Sequence, residues 1–408
     1  MTMNRTLPAI PRRVLLGSGL GLAVAASRAR AAEPVRIGVL ADMSGAYADV
    51  GGPGSVEAAR MAVADFGGSV LGRPIEVLSA DHQNKSDVGV AIARDWLGPK
   101  HVGLILDMGN SAIALALQGL VRDANRVAIP VSAVSSDLTG KACSPNSIQW
   151  AQDNWSNGVA LMRALRQAGK RTFFFITVDY SFGISLEADA AAEVKRSGGS
   201  VVGAVRHPLN TTDFSAYLLQ AQASGADVVV FASAGTDTVS EIEQAHEFGL
   251  TQRQVLTAPS FYLATAHAIG LQRAQGLQVM QSWYWDQSDA TRAWAKRFYA
   301  RRQVMPNDVH AADYSAVSHY LRAVARVGGG DDGRAVIAAM RAAPVRDVFT
   351  QDGHIRADNK MVFTRFLMRV KTPAESHGPW DLLAQVAAIP PDQAFRPVTE
   401  GHCPLVKP

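Results

Sequence analysis

Short unbroken apolar runs alternate with amphipathic stretches of helical length along most of this chain. The runs fall at Val35–Leu40, Ile75–Ser79, Val102–Leu106, Val127–Val131, Thr172–Thr177, Ser200–Val205, Val228–Phe231 and Gln254–Thr257. Between them, apolar residues recur at helical spacing over Ser55–Phe66, Asp87–Trp96, Ser111–Asn125, Trp155–Gln167, Ile184–Arg196 and Thr238–Phe248. Strands that are apolar throughout, rather than alternating, belong in a sheet buried on both faces. The order strand, helix, strand therefore predicts an α/β fold with parallel sheets. The alternation restarts after Asn154, which predicts two doubly wound lobes of similar size. A third block differs: a strand at Leu277–Gln281, two helical stretches (289–303 and 310–327), glycine breaks near 328–333 and a strand over Met361–Val370. The last 20 residues are proline-rich and irregular.

The N-terminus changes how the composition is read. Arg5, Arg12 and Arg13 precede an apolar stretch, Val14 to Ala26, too short to span a bilayer, and Ala29-Arg30-Ala31 has the form of a cleavage site. Residues 1–31 thus read as an export signal, cleaved near Ala31. The signal holds five arginines and no acid, so the formal +4 of the whole chain becomes 35 basic against 36 acidic residues, a net of −1. No basic stripe remains to argue for nucleic acid. About 377 residues are left, enough for roughly two domains.

Two cysteines, Cys143 and Cys403, stand far apart in the sequence. In an oxidising compartment such a pair suggests a disulfide, with two free buried thiols as the alternative. A bridge would close a loop worth on the order of 5 kcal/mol of chain entropy. Enzyme signatures are missing: no nucleophile elbow, P-loop or zinc-binding His pair occurs, and a glycine-rich stretch at Gly17–Gly21 lies inside the export signal. No metal or cofactor is expected.

In open α/β sheets, ligands sit at the carboxyl ends of strands, where helix N-termini present free N–H groups. That rule selects Asp107-Met108-Gly109-Asn110-Ser111, where Asn110 or Ser111 either caps the next helix or holds a carboxylate. It also selects Ser132–Thr139, rich in small hydroxyl residues, and Asp179-Tyr180-Ser181-Phe182-Gly183, whose aromatic rings cover an apolar ligand or staple a helix. Trp283-Tyr284-Trp285, Trp150 and Trp155 line the cleft if they lie where the chain crosses between lobes, and are core otherwise.

Five segments carry a family resemblance: IGVLADMSGAYADVGG, DHQNKSDVG, SSDLTGKACSP, DYSFG and HPLNTTDFSAYLLQAQASGADVV. Through them the chain resembles the periplasmic solute-binding proteins of ABC importers, of the branched-chain amino-acid-binding type, and most of all a subgroup whose ligands include aromatic acids. The resemblance implies two Rossmann-like lobes joined by three hinge crossovers that close on a ligand. The lobes would be 32–150 plus 284–345 and 151–283 plus 346–390, with a tail, 391–408, pinned at the hinge by Cys143–Cys403. It implies a periplasmic monomer with a permease and an ATPase as partners. The implied ligand contacts are Asn110 and Ser111 for a carboxylate, Ala133 and Ser135 in the next loop, Phe182 as a cover, and the loop at Gly235 and Thr236. Tyr47, Trp155, Trp283 and Tyr284 would enclose the ligand body. One departure matters. Amino-acid binders of this kind place an acid where this chain has Ser260, and a buried ammonium without a counter-charge costs several kcal/mol. The expected ligand is therefore an organic acid without an α-amino group, unless Asp153, Asp179 or Asp313 substitutes. A sensor subunit with the same fold is a further alternative.

Overall fold

The computed structural model describes residues 33–407 together with 1–3 and 9, so the expected export signal falls almost wholly outside the described residues. Two mainly parallel sheets organise the rest. In the first, β1 (Val35–Ala41), β2 (Ser69–Val70), β3 (Arg73–Asp81), β4 (Val102–Asp107) and β5 (Val127–Pro130) are ordered β2-β3-β1-β4-β5. Only the short β2–β3 hairpin is antiparallel. Helices α1 (Gly52–Asp65), α2 (Ser86–Leu97) and α3 (Ser111–Asp123) follow β1, β3 and β4.

The second sheet has β6 (Thr172–Val178), β7 (Ser200–His207), β8 (Val228–Ala232) and β9 (Val255–Thr257) in the order β7-β6-β8-β9, all parallel. Its helices are α4 (Asn154–Gln167), α5 (Ser181–Arg196), α6 (Ser215–Ala223), α7 (Gly235–Glu247), α8 (Leu263–Ile269) and α9 (Leu271–Ala274). Every residue of β4, β5 and β8 is buried, as their apolar sequences require. In each sheet the order reverses at one strand, β1 in the first and β6 in the second. The crevices for a ligand therefore lie beyond the carboxyl ends of β1 and β4, and of β6 and β8.

The third block departs from the strand-helix expectation. After β10 (Gln278–Gln281), helices α10 (Asp289–Arg302) and α11 (Asp308–Val327) pack on α1 of the first lobe, and α12 (Gly333–Arg341) packs beside α11 and β5. The single strand expected over 361–370 is two. β11 (His354–Ile355) pairs with β12 (Met361–Val362), while β13 (Arg365–Val370) lies between β10 and β14 (Leu383–Ile389) in a small antiparallel sheet. Asp352 causes the break: its carboxylate takes the Thr364 N–H at 3.2 Å and the Thr364 hydroxyl at 2.6 Å, which turns the backbone out of the ladder.

The chain thus passes between the lobes three times, and the crossings touch. Gln149 donates its N–H to Asn359 and accepts that of Met361, at 3.1 and 3.0 Å. Two cations are fully buried here. Lys360 donates to the Ala151 carbonyl and lies 3.9 Å from Asp153, while Arg365 donates to Ser156 Oγ and Asn157 Oδ1 at 2.7 and 2.9 Å. Burial lowers Lys360 to about 8 and Arg365 to about 10. The C-terminal segment returns to the first crossing, where Arg396 reaches the Ser136 carbonyl at 3.0 Å and Cys403 bonds to Cys143.

One buried carboxylate shapes the rim of the first lobe. Asp42, next after β1, accepts N–H bonds from Ser44 and Gly45 on Oδ1 (3.3 and 2.7 Å). Its Oδ2 accepts from the Tyr47 N–H and Asn84 Nδ2 (2.9 and 2.5 Å). Four bonds to one carboxylate hold a short loop as a fixed lip that carries Ala46 and Tyr47 toward the second lobe.

Two outcomes are expected from this scaffold. The intact mass of unreduced protein should fall short of the reduced mass by two hydrogens, and free thiols detected by alkylation would contradict the bridge. Asp42→Ala should cost roughly 1–3 kcal/mol of stability, the penalty for stranded buried donors. It should also make the Ser44–Tyr47 loop a new site of limited proteolysis, and unchanged nicking would show that the lip has other support.

Candidate functional site

The loops at the two crevices meet. Tyr47 from the lip and Tyr180 from the end of β6 join hydroxyl to hydroxyl at 2.8 Å, and the Thr236 N–H donates to the Ala46 carbonyl at 3.2 Å. Gly235 makes that second contact possible. Its φ of +63° is a left-handed conformation that glycine adopts freely, and a Cβ there would strike the Ala46 carbonyl oxygen.

Behind these contacts lies a small cavity, ≈ 20 Å³ in volume, lined by Tyr47, Val50, Gly109, Ser111, Ser132, Val134, Tyr180, Phe182, Ala234 and Tyr262. Its walls are four aromatic rings and three aliphatic side chains. None of these lining residues is charged. Burial pushes the Tyr47, Tyr180 and Tyr262 phenols above their ordinary range, so all three stay neutral hydroxyls.

The polar end of the cavity is built by β4 and β5. Asp107 and Met108, at the end of β4, both have positive φ (72° and 54°), two consecutive non-glycine residues in the left-handed region. Such strain is costly, and it gathers where a fold must aim side chains. Here it turns the chain into α3 so that Ser111 faces the cavity. The Ser111 hydroxyl accepts the Ser135 N–H at 3.1 Å, which leaves its own proton free to donate inward. Ser132 also lines the cavity, and its hydroxyl and N–H both bond Asp107 Oδ1 behind it, the N–H at 3.2 Å.

Of the residues expected from sequence, Tyr47, Ser111 and Phe182 are brought together here, and the others are not. Asn110 caps α3, accepting from the Ala112 and Ile113 N–H groups at 2.9 and 3.3 Å, and its amide donates to Asn84; capping uses up its side chain. Ala133 is buried in the first-lobe core beneath the loop. Ser135 caps a short turn through the Asp137 N–H. Trp155 lies under the Arg163 guanidinium, 5.6 Å from its ring centre. Thr236 is exposed and serves closure through its backbone. Ser260 is buried and accepts from Asn157 at 3.2 Å.

The aromatic triplet is also core rather than cleft. Trp283 bonds the Val348 carbonyl at 2.9 Å and meets Trp294 edge-on, while Tyr284 bonds the Trp380 carbonyl at 3.2 Å. Both indole and phenol find buried partners on opposite sides of the chain, as polar-tipped aromatics in a core must. Ser132, Tyr180 and Tyr262 line the cavity but are not among the ligand contacts implied by the sequence. The first two lie inside loops the strand-end rule had selected, and Tyr262 stands two residues beyond Ser260.

The three acids that could have replaced the missing counter-charge are engaged elsewhere or set back. Asp153 caps α4 and faces Lys360, Asp179 is exposed beside Arg206, and Asp313 is buried behind Asp107 on α11. A larger groove of ≈ 370 Å³ lies beside the second and third crossings. Its carboxylates, Asp347 and Asp352, are taken up by neighbouring N–H groups and hydroxyls.

The geometry agrees with comparisons to known proteins. A periplasmic binding protein from Burkholderia mallei is 43% identical, with a TM-score of 0.90 over 92% of this chain and 100% of that one. A branched-chain amino acid ABC transporter periplasmic ligand-binding protein from Burkholderia xenovorans is 38% identical, with a TM-score of 0.81 over 91% of this chain and 99% of that one. A solute-binding protein of a Rhodopseudomonas palustris ABC transporter, solved with benzoate, shares the fold at 19% identity (TM-score 0.79, 88% of this chain and 97% of that one). Among curated relatives, the Leu/Ile/Val-binding protein homolog 6 of Brucella melitensis is 25% identical over 55% of this chain, a match that spans 57% of that relative's length. The periplasmic binding protein family model matches residues 34–377. With two doubly wound lobes meeting over a small ring-lined cavity, and that match across most of its length, the chain belongs to the periplasmic binding protein family.

Proposed function

We propose that this protein is the substrate-binding component of an ABC importer, working in the periplasm, and that its ligand is a small organic acid with an apolar, aromatic body. One observation carries the reading: a cavity between the loops walled by Tyr47, Tyr180, Phe182 and Tyr262, with serine hydroxyls at one end and no charged side chain on its surface. Its free space in this closed arrangement is ≈ 20 Å³, room for about one water, so a ring is taken up with the lobes apart and the lining side chains move aside for it. Ser111 donates to the carboxylate near the N-terminus of α3, where the helix dipole favours negative charge. The rings pack the body. Binding energy then favours the closed arrangement held by Tyr47–Tyr180 and Ala46–Thr236, and a permease reads that population shift.

An amino-acid ligand is the second reading, and the branched-chain relatives favour it. It requires an acid for the ammonium. The acid that acts electrostatically on Tyr47 and Tyr180 is Asp237, which accepts the Asn210 N–H at 3.2 Å and lies 3.9 Å from His207. That carboxylate already has partners, and burial raises it to about 6.

Thermal unfolding with added ligands separates the two. Benzoate and 4-hydroxybenzoate, each at a hundred times Kd, should add about 2.7 kcal/mol and raise the midpoint by several degrees. Leucine and valine should not, and the reverse pattern would rule out the acid reading. Two variants test the assignments by calorimetry. Ser111→Ala should weaken binding roughly ten- to hundredfold, the worth of a hydrogen bond to a charged group. Gly235→Ala should weaken binding by obstructing closure although it touches no ligand atom. Unchanged affinity in Gly235→Ala would show that closure does not contribute to binding.

A further inference from the structure

Directly behind Ser132 is a set of buried oxygens with too few hydrogens. Asp107 Oδ1 is occupied by Ser132, but Asp107 Oδ2 has no partner. Both oxygens of Asp313 on α11, and Ser55 Oγ on α1, are likewise buried without a partner. Ser55 stands between the two acids, close enough to influence each, and it crowds the same side of Gly51 as Asp107 Oδ2 does. All three side chains are inaccessible to solvent.

No cation compensates. The other titratable groups facing this cluster are Asp42 beyond β1, His82 beyond β3, His310 on α11 and Tyr262 from the second lobe. Asp42 is already filled by the lip. Burial holds both histidines near 4, so they are neutral, and Tyr262 is a neutral phenol. Two ionised carboxylates facing each other in such a place are strongly disfavoured, and one shared proton relieves this.

That proton has a consequence for the cavity. When Asp107 is ionised it accepts from Ser132, whose only hydrogen then points away from the ligand and whose lone pairs face it. When Asp107 is protonated it can donate to Ser132 Oγ, which frees the Ser132 hydrogen for the ligand. We propose that Asp107, Ser55 and Asp313 form a proton-holding relay that switches Ser132 into a donor, so that capture of a carboxylate anion takes up one proton. The proposal rests on the carboxylate reading of the cavity. Asp107 acts as a positioning residue through Ser132. Burial raises Asp107 and Asp313 alike above the ordinary carboxylate range, in accord with a proton shared by the pair.

The sign follows from linkage. Below the pair's titration the proton is already in place and affinity is constant. Above it the proton must come from solvent, so Kd rises with pH, by up to tenfold per pH unit for one proton. Benzoate stays ionised throughout, because carboxylic acids titrate near pH 4. The test is calorimetric titration with benzoate from about pH 5.5 to about pH 8.5, run near the upper end in two buffers of different ionisation enthalpy. Expected are a rising Kd and an uptake approaching one proton per ligand. Asp107→Asn removes the titrating group that acts on Ser132 and should give a Kd that does not change across the range. Benzoate binding by the unaltered protein without pH dependence or proton uptake overturns the relay and leaves the acid reading standing. Absence of benzoate binding even at the acid end overturns both. Should Asp107→Asn fail to fold, the two-buffer uptake of the unaltered protein decides alone.

Discussion

The closed cleft depends on one backbone contact between lobes, the Thr236 N–H donating to the Ala46 carbonyl. Each side of it is prepared in advance. On the first lobe, Asp42 fixes the lip that presents Ala46, and on the second, glycine at 235 removes the Cβ that would collide with it. The Tyr47–Tyr180 hydroxyl pair joins the same lip to the second lobe beside this contact. Closure is thereby a joint event, and a ligand that fills the cavity shifts its equilibrium without touching the contact itself.

The charges of this protein are arranged around the cleft rather than in it. Lys360, Arg365 and Asp153 are buried where the three crossings touch, each with hydrogen-bond partners, and they tie the crossings together. The cavity surface is neutral. A carboxylate held by hydroxyls at a helix N-terminus pays less for desolvation than an ammonium with nothing to answer it. The acids nearest the cavity stand one side chain behind its wall, which makes their protonation state a determinant of what the wall offers.

Much of the fold was legible because it follows from burial. Strands apolar along their whole length, such as Val102–Leu106, could only be central in a sheet covered on both sides, and the restart after Asn154 marked the second lobe. The site was legible by loop but less so by residue. Asn110 and Ser111 are both good caps and good ligand donors, and only the left-handed turn at Asp107 and Met108 decides that the first caps and the second faces inward. The Trp283–Trp285 triplet satisfied a composition argument for a cleft wall, yet carbonyls from 348 and 380, distant in sequence, hold all three of its rings away from the cavity. Asp42 carried no signal beyond its place after a strand, because its role lies in four bonds that exist only once the lip has folded.

The central claim is that a neutral, ring-walled cavity captures a carboxylate by its hydroxyl end. A crystal structure of the protein grown with benzoate tests it most directly. The account predicts the carboxylate within hydrogen-bond distance of Ser111 Oγ, the ring enclosed by Tyr47, Phe182 and Tyr262, and the lobes joined through Ala46 and Thr236. Benzoate bound outside this cavity, or with its carboxylate turned away from Ser111, would contradict it.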